Sequence, residues 1–439
     1  MRKRIYFAVV LMAVCLLTGC SIRTVDEMYC LPKRPESYND LQSVMDAAMS
    51  GMEYCAPLTG ENQQTVQMAD LDGDGVREYL LFAKNASETP LQILIFAQKG
   101  NDYIHADTIK SHGTGFETVE YVQMDDRGGI ELIVGRQLGG DVLKSVSVYT
   151  FLDGRIEQIF STNYTKMLTC DLNDDACSEL MIIKPGQTET DNGVAELYSM
   201  FSGTIERSNE AVLSVPADKL KRVITGKLHG GIPAVFVGSS VQEEAIITDV
   251  YAWVNGMFTN VSLSNESGTS VQTLRNYYVY ADDIDGDGEV ELPDLITMQP
   301  YGDARNGDRQ YIIRWYAMGA DGSEIDKMYT YHNFVGGWYL QLDADWASRV
   351  TVIQEGIAYR FYLWDTDFSH ADLIFTVHAF SGQDREQLAL EQNRFVVYKS
   401  ESTVYAGHME VASGALSITK EGIINGFHMI RQDWKTGEM

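Results

Sequence analysis

The residues best placed to do chemistry in this 439-residue chain are acids at alternate positions. Val66-Gln-Met-Ala-Asp-Leu-Asp-Gly-Asp-Gly-Val-Arg-Glu-Tyr-Leu-Leu-Phe82 carries Asp70, Asp72, Asp74 and Glu78, with Gly75 after the third Asp. Such spacing suits a hard divalent cation. Calcium takes about six to eight oxygens, and a tight loop aims alternate side chains inward. The pattern predicts Asp70, Asp72, Asp74 and Glu78 as side-chain ligands, the Val76 carbonyl as a backbone ligand, and Gly75 as the residue that permits the turn. Without an ion the carboxylates repel. A like-charged pair about 4 Å apart costs roughly 1 kcal/mol in water and about 4 kcal/mol at an effective dielectric near ~20. One such loop also reads as an ordinary Asp-Gly hairpin turn, so recurrence decides between the two.

The stretch recurs. Val279 to Leu295 places Asp283, Asp285, Asp287 and Glu291 in the same frame, with Glu289 at the backbone-ligand position, Gly288 matching Gly75, and Asp294 as a further ligand. Thr169 to Ile183 keeps Asp171, Asn173, Asp175 and Glu179, but Ala176 replaces the glycine, which predicts a strained turn and a weaker ion. Three fainter copies follow. Residues 122–134 keep Glu131 without the alternate acids, residues 223–237 keep only strand, turn and strand, and residues 340–352 are the faintest. The anchor positions 78, 131, 179, 233, 291 and 349 are spaced by 48 to 58 residues, close to the roughly 40 to 50 residues of a four-stranded propeller blade.

These loops resemble the FG-GAP and VCBS-type repeat proteins, whose members include the calcium loops of integrin α-subunit propellers. The resemblance rests on Asp70 to Glu78, Asp283 to Glu291 and, with its Asn and Ala departures, Asp171 to Glu179. It covers residues 62–380. It implies an all-β fold: a β-propeller of about six or, alternatively, seven four-stranded blades, with Ca2+ at two or three structural sites. It names no ligand.

The elements that must position these loops read as strands. Leu91 to Ala97, Val146 to Leu152, Glu196 to Phe201, Ile246 to Val254, Tyr311 to Ala317 and Tyr359 to Trp364 are β-prone, separated by turns such as Asp153-Gly154, Asn255-Gly256 and Asp321-Gly322. No helical period intervenes, which excludes α/β layering. Before them, Leu41, Val44, Met45, Ala48 and Met52 predict an amphipathic helix in a lead-in over residues 38–61. After them, residues 381–439 read as a small α+β appendage, with helices at Gln383 to Gln392 and Lys420 to Trp434 and strands at Arg394 to Lys399 and Val404 to Val411.

At the start, Arg2, Lys3 and Arg4 precede an apolar run, Ile5 to Leu17, shorter than the ~20 residues of a spanning helix. Leu17-Thr18-Gly19-Cys20 then resembles a bacterial lipobox. That resemblance implies a lipoprotein signal peptide at residues 1–19, cleavage before Cys20, a lipid such as palmitate on Cys20, a tether over residues 20–37, and a place on the extracytoplasmic face of the cell membrane. The alternative is a simple signal peptide with an incidental cysteine.

The chain has 34 basic and 62 acidic residues, a net charge of −28. Loss of Arg2, Lys3 and Arg4 with the leader makes it −31. This argues against nucleic acid and against direct docking on anionic lipid, and suits a soluble monomer. Of six cysteines, Cys30, Cys55, Cys170 and Cys177 remain after the leader and the lipid site. Cys170 and Cys177 bracket the third loop, where a disulfide would clamp it, with free thiols as the alternative; Cys30 with Cys55, which would pin the tether, reads more readily as thiols.

No Gly-x-Ser-x-Gly elbow, His-Glu-x-x-His or phosphate loop is present, and the eight histidines are scattered, so no catalytic residue is assigned. Aromatics gather at Trp315, Tyr316, Tyr329, Tyr331, Trp338, Tyr339, Trp346, Tyr359, Tyr362 and Trp364, as blade core or as a stacking face for a ligand. The sequence thus predicts a lipid-anchored, calcium-binding propeller acting as a binding or scaffolding module for a protein or glycan. The alternative is a cell-surface glycan or peptide hydrolase or lyase working in the propeller channel.

Overall fold

Continuous apolar runs punctuated by Gly, Asn and Asp fold here into antiparallel meanders. The computed structural model describes residues 36–100, 102–139, 143–188, 190–242, 245–301, 310–410, 418–431 and 434. The expected leader, Cys20, Cys30 and all but the last residues of the tether lie outside these.

Helix α1 (Glu36–Ala48) is followed by β1 (Glu53–Tyr54), β2 (Val66–Ala69), β3 (Glu78–Lys84), β4 (Leu91–Lys99) and β5 (Asp102–Ser111), which form sheet one. Sheet two holds β6 (Gly115–Val122), β7 (Glu131–Gly139), β8 (Leu143–Leu152) and β9 (Arg155–Tyr164). Sheet three holds β10 (Lys166–Cys170), β11 (Glu179–Lys184), β12 (Val194–Phe201) and β13 (Thr204–Val212). Sheet four holds β14 (Leu220–Lys227), β15 (Pro233–Gln242), β16 (Ala245–Val254) and β17 (Met257–Asn260). Sheet five begins with β18 (Glu291–Thr297), β19 (Tyr311–Met318), β20 (Glu324–Asn333) and β21 (Trp338–Leu342). After helix α2 (Ala344–Ala347), sheet six takes β22 (Val350–Glu355), β23 (Ala358–Trp364) and β24 (Ala371–Ser381).

The C-terminal residues are built into these sheets. Beyond helix α3 (Arg385–Leu390), β25 (Phe395–Lys399) and β26 (Thr403–Met409) extend sheet six in the order β22-β23-β24-β26-β25. Helix α4 (Lys420–Gly426) is shorter than the sequence predicts, and β27 (Phe427–Met429) follows it directly. Two glycines inside the helical run, Gly422 and Gly426, weaken it by about 1 kcal/mol each. The open edge of β21 then captures Phe427, His428 and Met429 opposite Leu340, Tyr339 and Trp338. The sheets therefore cross the expected boundary at residue 380.

The described contacts divide the chain into two units. Among the described residues, the first draws on 36–56, 64–70 and 75–112, the second on 57–63, 71–74 and 113–434. In the first unit, Leu41 and Met45 of α1 pack on Leu81, Ala83, Leu94 and Phe96 of sheet one. In the second, successive sheets share cores. Leu180 and Ile182 of β11 join Ile133 and Val148 of sheet two, while their neighbours Met181 and Ile183 join Val235 and Val237 of sheet four. Phe236 of β15 meets Leu292 and Tyr316 of sheet five, and Trp338 and Leu340 meet Phe361 and Phe375 of sheet six. Strands buried on both faces must be apolar at every position, which is why β11 reads Glu-Leu-Met-Ile-Ile-Lys. The hairpin tips at Asp153-Gly154 and Asn255-Gly256 have both residues at positive φ (51° and 74°; 52° and 77°), the type I′ geometry that matches strand twist.

Candidate metal centre

Each sheet from one to four places its repeat between two adjacent strands, and the anchor residue opens the second of them. Glu78, Glu131, Glu179 and Pro233 are the first residues of β3, β7, β11 and β15. Glu291 likewise opens β18, its backbone N–H donating to the Asp282 carbonyl at 2.9 Å across the loop. The faint copy at 340–352 behaves differently: it joins β21 of sheet five to β22 of sheet six.

The acid loops share one backbone path. Residues 73 and 75 have φ of 75° and 87°, residues 174 and 176 have 61° and 68°, and residues 286 and 288 have 78° and 89°. The first acid of each loop accepts the N–H five residues on: Gly75 to Asp70 Oδ2 (3.0 Å), Ala176 to Asp171 Oδ2 (2.9 Å) and Gly288 to Asp283 Oδ2 (3.0 Å). The second accepts the N–H two residues on: Asp74 to Asp72 Oδ1 (3.2 Å), Asp175 to Asn173 Oδ1 (2.9 Å) and Asp287 to Asp285 Oδ1 (3.1 Å). Ala176 and Asp174 hold the left-handed conformation without glycine, at a cost of about 1–2 kcal/mol each.

The anchor glutamates are buried. Glu291 is 0% exposed, and Glu78, Glu131 and Glu179 are each 3% exposed. One oxygen of the anchor takes the N–H seven residues back: Met124 to Glu131 Oε2 (3.1 Å), Leu172 to Glu179 Oε2 (3.0 Å) and Ile284 to Glu291 Oε2 (3.1 Å). The other oxygen of Glu291, Oε1, is buried and has no hydrogen-bond partner among the described residues. Burial, reinforced by Asp285 and Asp287, pushes the Glu291 carboxyl up to about 8. Burial likewise raises Glu179, to about 7.

Asp283, Asp285 and Glu291 each offer an oxygen, all lying within 4.8 Å of one another, and Asp70, Asp72 and Glu78 do the same. An all-carboxylate cluster with one buried, unpaired oxygen fits a hard divalent cation, and nothing in the geometry selects calcium among such ions. At the loop before β18, a bound cation would supply positive charge beside Glu291 Oε1. Asp70, Asp72 and Glu78, and Asp283, Asp285 and Glu291, are the side chains that would hold such ions.

Other predicted ligands are turned elsewhere. Asp287 Oδ2 pairs with Lys327 Nζ at 2.7 Å. The Glu289 carboxylate meets Lys327 Nζ (2.8 Å), His229 Nδ1 (3.1 Å) and the Gly230 N–H (2.9 Å). Asp294 lies along β18, opposite Arg314, and its Oδ2 is 3.3 Å from Arg314 Nε, outside the acid cluster. Asp74 and Val76 sit exposed at the first loop. Cys170 and Cys177 are free thiols, as is Cys55, so the clamp across the third loop is not formed. Cys170 packs against the core shared by sheets three and four, where burial pushes its thiol up to about 12. Cys177 stays in the loop, its N–H on Asp175 Oδ1. No local pattern marks Lys327, which reaches the loop before β18, the fifth in chain order, from β20.

The aromatics are mostly core. Trp315, Tyr316, Tyr331, Trp338, Tyr339, Trp346 and Tyr359 are buried, while Tyr329, Tyr362 and Trp364 are half-buried. Histidine–carboxylate contacts among the described residues are His229–Glu289, His370–Asp372 and, at 3.9 Å, His408–Glu410, and none of these six side chains is buried.

No known family description matches this sequence, and no curated protein does. Among solved structures it is similar to the exotype rhamnogalacturonan lyase YesX, at 11% identity and a TM-score of 0.29, over 74% of this chain and 69% of that one. It is also similar to the rhamnogalacturonan lyase YesW, at 12% identity and a TM-score of 0.33, over 73% of this chain and 62% of that one. Likeness at this level carries no argument about activity.

Proposed function

We propose that this chain is a divalent-cation-stabilised binding or scaffolding module, with calcium as its ion and its sheets arranged as the blades of a β-propeller. The observation that carries the reading is the buried Glu291, whose Oε1 has no partner beside Asp283 and Asp285. Ionising a buried carboxyl that has no partner is costly, and a cation offsets that cost while fixing the loop that leads into β18. The four-stranded meanders with shared cores, repeated at blade length, support the propeller. The lipobox-like Leu17-Thr18-Gly19-Cys20 supports export and a lipid anchor. Among the described residues, the groups of three acids that could share a metal ion lie in the repeat loops, which supports a structural ion in a binding or scaffolding module.

The test is thermal. Extracellular calcium modules bind at about 10⁻⁴ to 10⁻³ M. At calcium about tenfold above such a constant, linkage adds roughly 1.4 kcal/mol per site. The melting temperature of the protein without residues 1–19 should rise by several degrees between excess chelator and ~10 mM calcium, and Glu291→Ala should shrink the rise. An unchanged melting temperature refutes the metal reading.

A further inference from the structure

The third loop has the backbone of the first and fifth but a different closure. We propose that it takes no cation, because the Asn173 side-chain amide occupies the place an ion would fill. The inference rests on the reading of the fifth loop as a cation site. Asn173 Nδ2 donates to Glu179 Oε1 at 2.7 Å and to Asp175 Oδ2 at 3.0 Å. Glu179 Oε1 is the counterpart of Glu291 Oε1, which has no such donor. The anchor that awaits a positive charge in loop five is already satisfied in loop three.

The orientation of the amide is fixed by its partners. Asn173 Oδ1 accepts the Asp175 N–H at 2.9 Å, so Nδ2 must face the two carboxylates. An aspartate at this position has two acceptors: Asp285 gives Oδ1 to the Asp287 N–H and keeps Oδ2 for a ligand. Asparagine has one acceptor atom, held by the Asp175 N–H, and in place of a second oxygen it turns an NH2 group toward Glu179 Oε1 and Asp175 Oδ2. Turning Oδ1 toward a cation would set the NH2 group against the Asp175 N–H, donor against donor, and would remove the hydrogen bond to Glu179. Loss of the glycine at Ala176 does not explain the difference, because φ at 174 and 176 follows the other loops. One atom type, nitrogen for oxygen at the second ligand position, separates a self-closed loop from an open one.

The experiment counts ions bound per chain by calcium titration calorimetry and terbium luminescence, on chelator-treated protein. Asn173→Asp should bind one more ion than the parent chain. Asp171→Asn in the parent should leave the count unchanged, which tests the closure without relying on Asn173→Asp folding. Asp285→Asn should lose one ion. The proposal is overturned if Asn173→Asp leaves the count unchanged, or if Asp171→Asn removes an ion. A count that Asp285→Asn does not lower refutes the reading of loop five instead.

Discussion

His332 lies 5% exposed in a box of rings, stacked on Trp434 (5° between planes) and Tyr339 (26°) and close to Trp315 and Phe334. Neither ring nitrogen has a hydrogen-bond partner among the described residues. Burial holds the imidazole down to about 3, against an ordinary value near ~6.5. The folded protein therefore refuses a proton that the unfolded chain accepts. Stability conferred by neutral His332 is fully present above about pH 6.5 and is lost as pH falls from there toward 3, by up to about 1.4 kcal/mol per pH unit. Urea unfolding at pH 7 and pH 5 should show the parent losing roughly 2 kcal/mol more than His332→Phe over that interval; equal losses would exclude this origin. The grouping of Asp283, Asp285 and Glu291 is legible in the sequence because alternate aspartates and a later glutamate form a local pattern. The sequence did not show the ring box around His332, since Trp315, Tyr339 and Trp434 come from separate elements. Nor did it show that Asp287 and Asp294 would be drawn off by Lys327 and Arg314, which arrive from neighbouring strands.

Strands and turns were legible because each has a short-range signal. The apolar runs from Leu91 and Ile246 and the Asp-Gly and Asn-Gly tips fold where expected. Of the C-terminal elements, the helix Arg385–Leu390 and the strands β25 and β26 lie where the sequence predicts them, whereas β27 falls inside the helix expected over Lys420 to Trp434. Strand pairing across tens of residues leaves no periodic mark, so β26 was not seen to add to β24, nor β27 to β21. The consequence is measurable. Removing residues 381–439 takes away three strands and the buried Val397, Tyr405, Ile418, Ile423 and Phe427 of the core shared by sheets five and six. At about 1.5–3 kcal/mol for each large side chain, the loss is of order 10 kcal/mol, comparable with the ~5–15 kcal/mol that holds a typical domain together. A chain ending at residue 380 should show no cooperative melt by circular dichroism. A transition within a few degrees of the parent would mean that these residues are a dispensable appendage.

In the second unit, cores run from sheet to sheet without a break, each strand such as β11 or β15 serving one core on each face. Two arrangements make opposite predictions about how that continuity responds to damage. An open stack of repeats has ends, contacts only its neighbours, and loses local structure around a lesion. A closed ring has no ends, so a lesion weakens every sheet together. Phe236, 1% exposed in the core shared by sheets four and five, is the place to probe. Phe236→Ala should cost about 3–5 kcal/mol. For a propeller, hydrogen-exchange protection should fall by the same free energy in β7, β11, β15, β19 and β23, the second strands of sheets two to six. Loss confined to β14–β19, with β7 and β23 keeping their parental protection, would show an open stack and would overturn the ring, with no bearing on whether the acid loops take a cation.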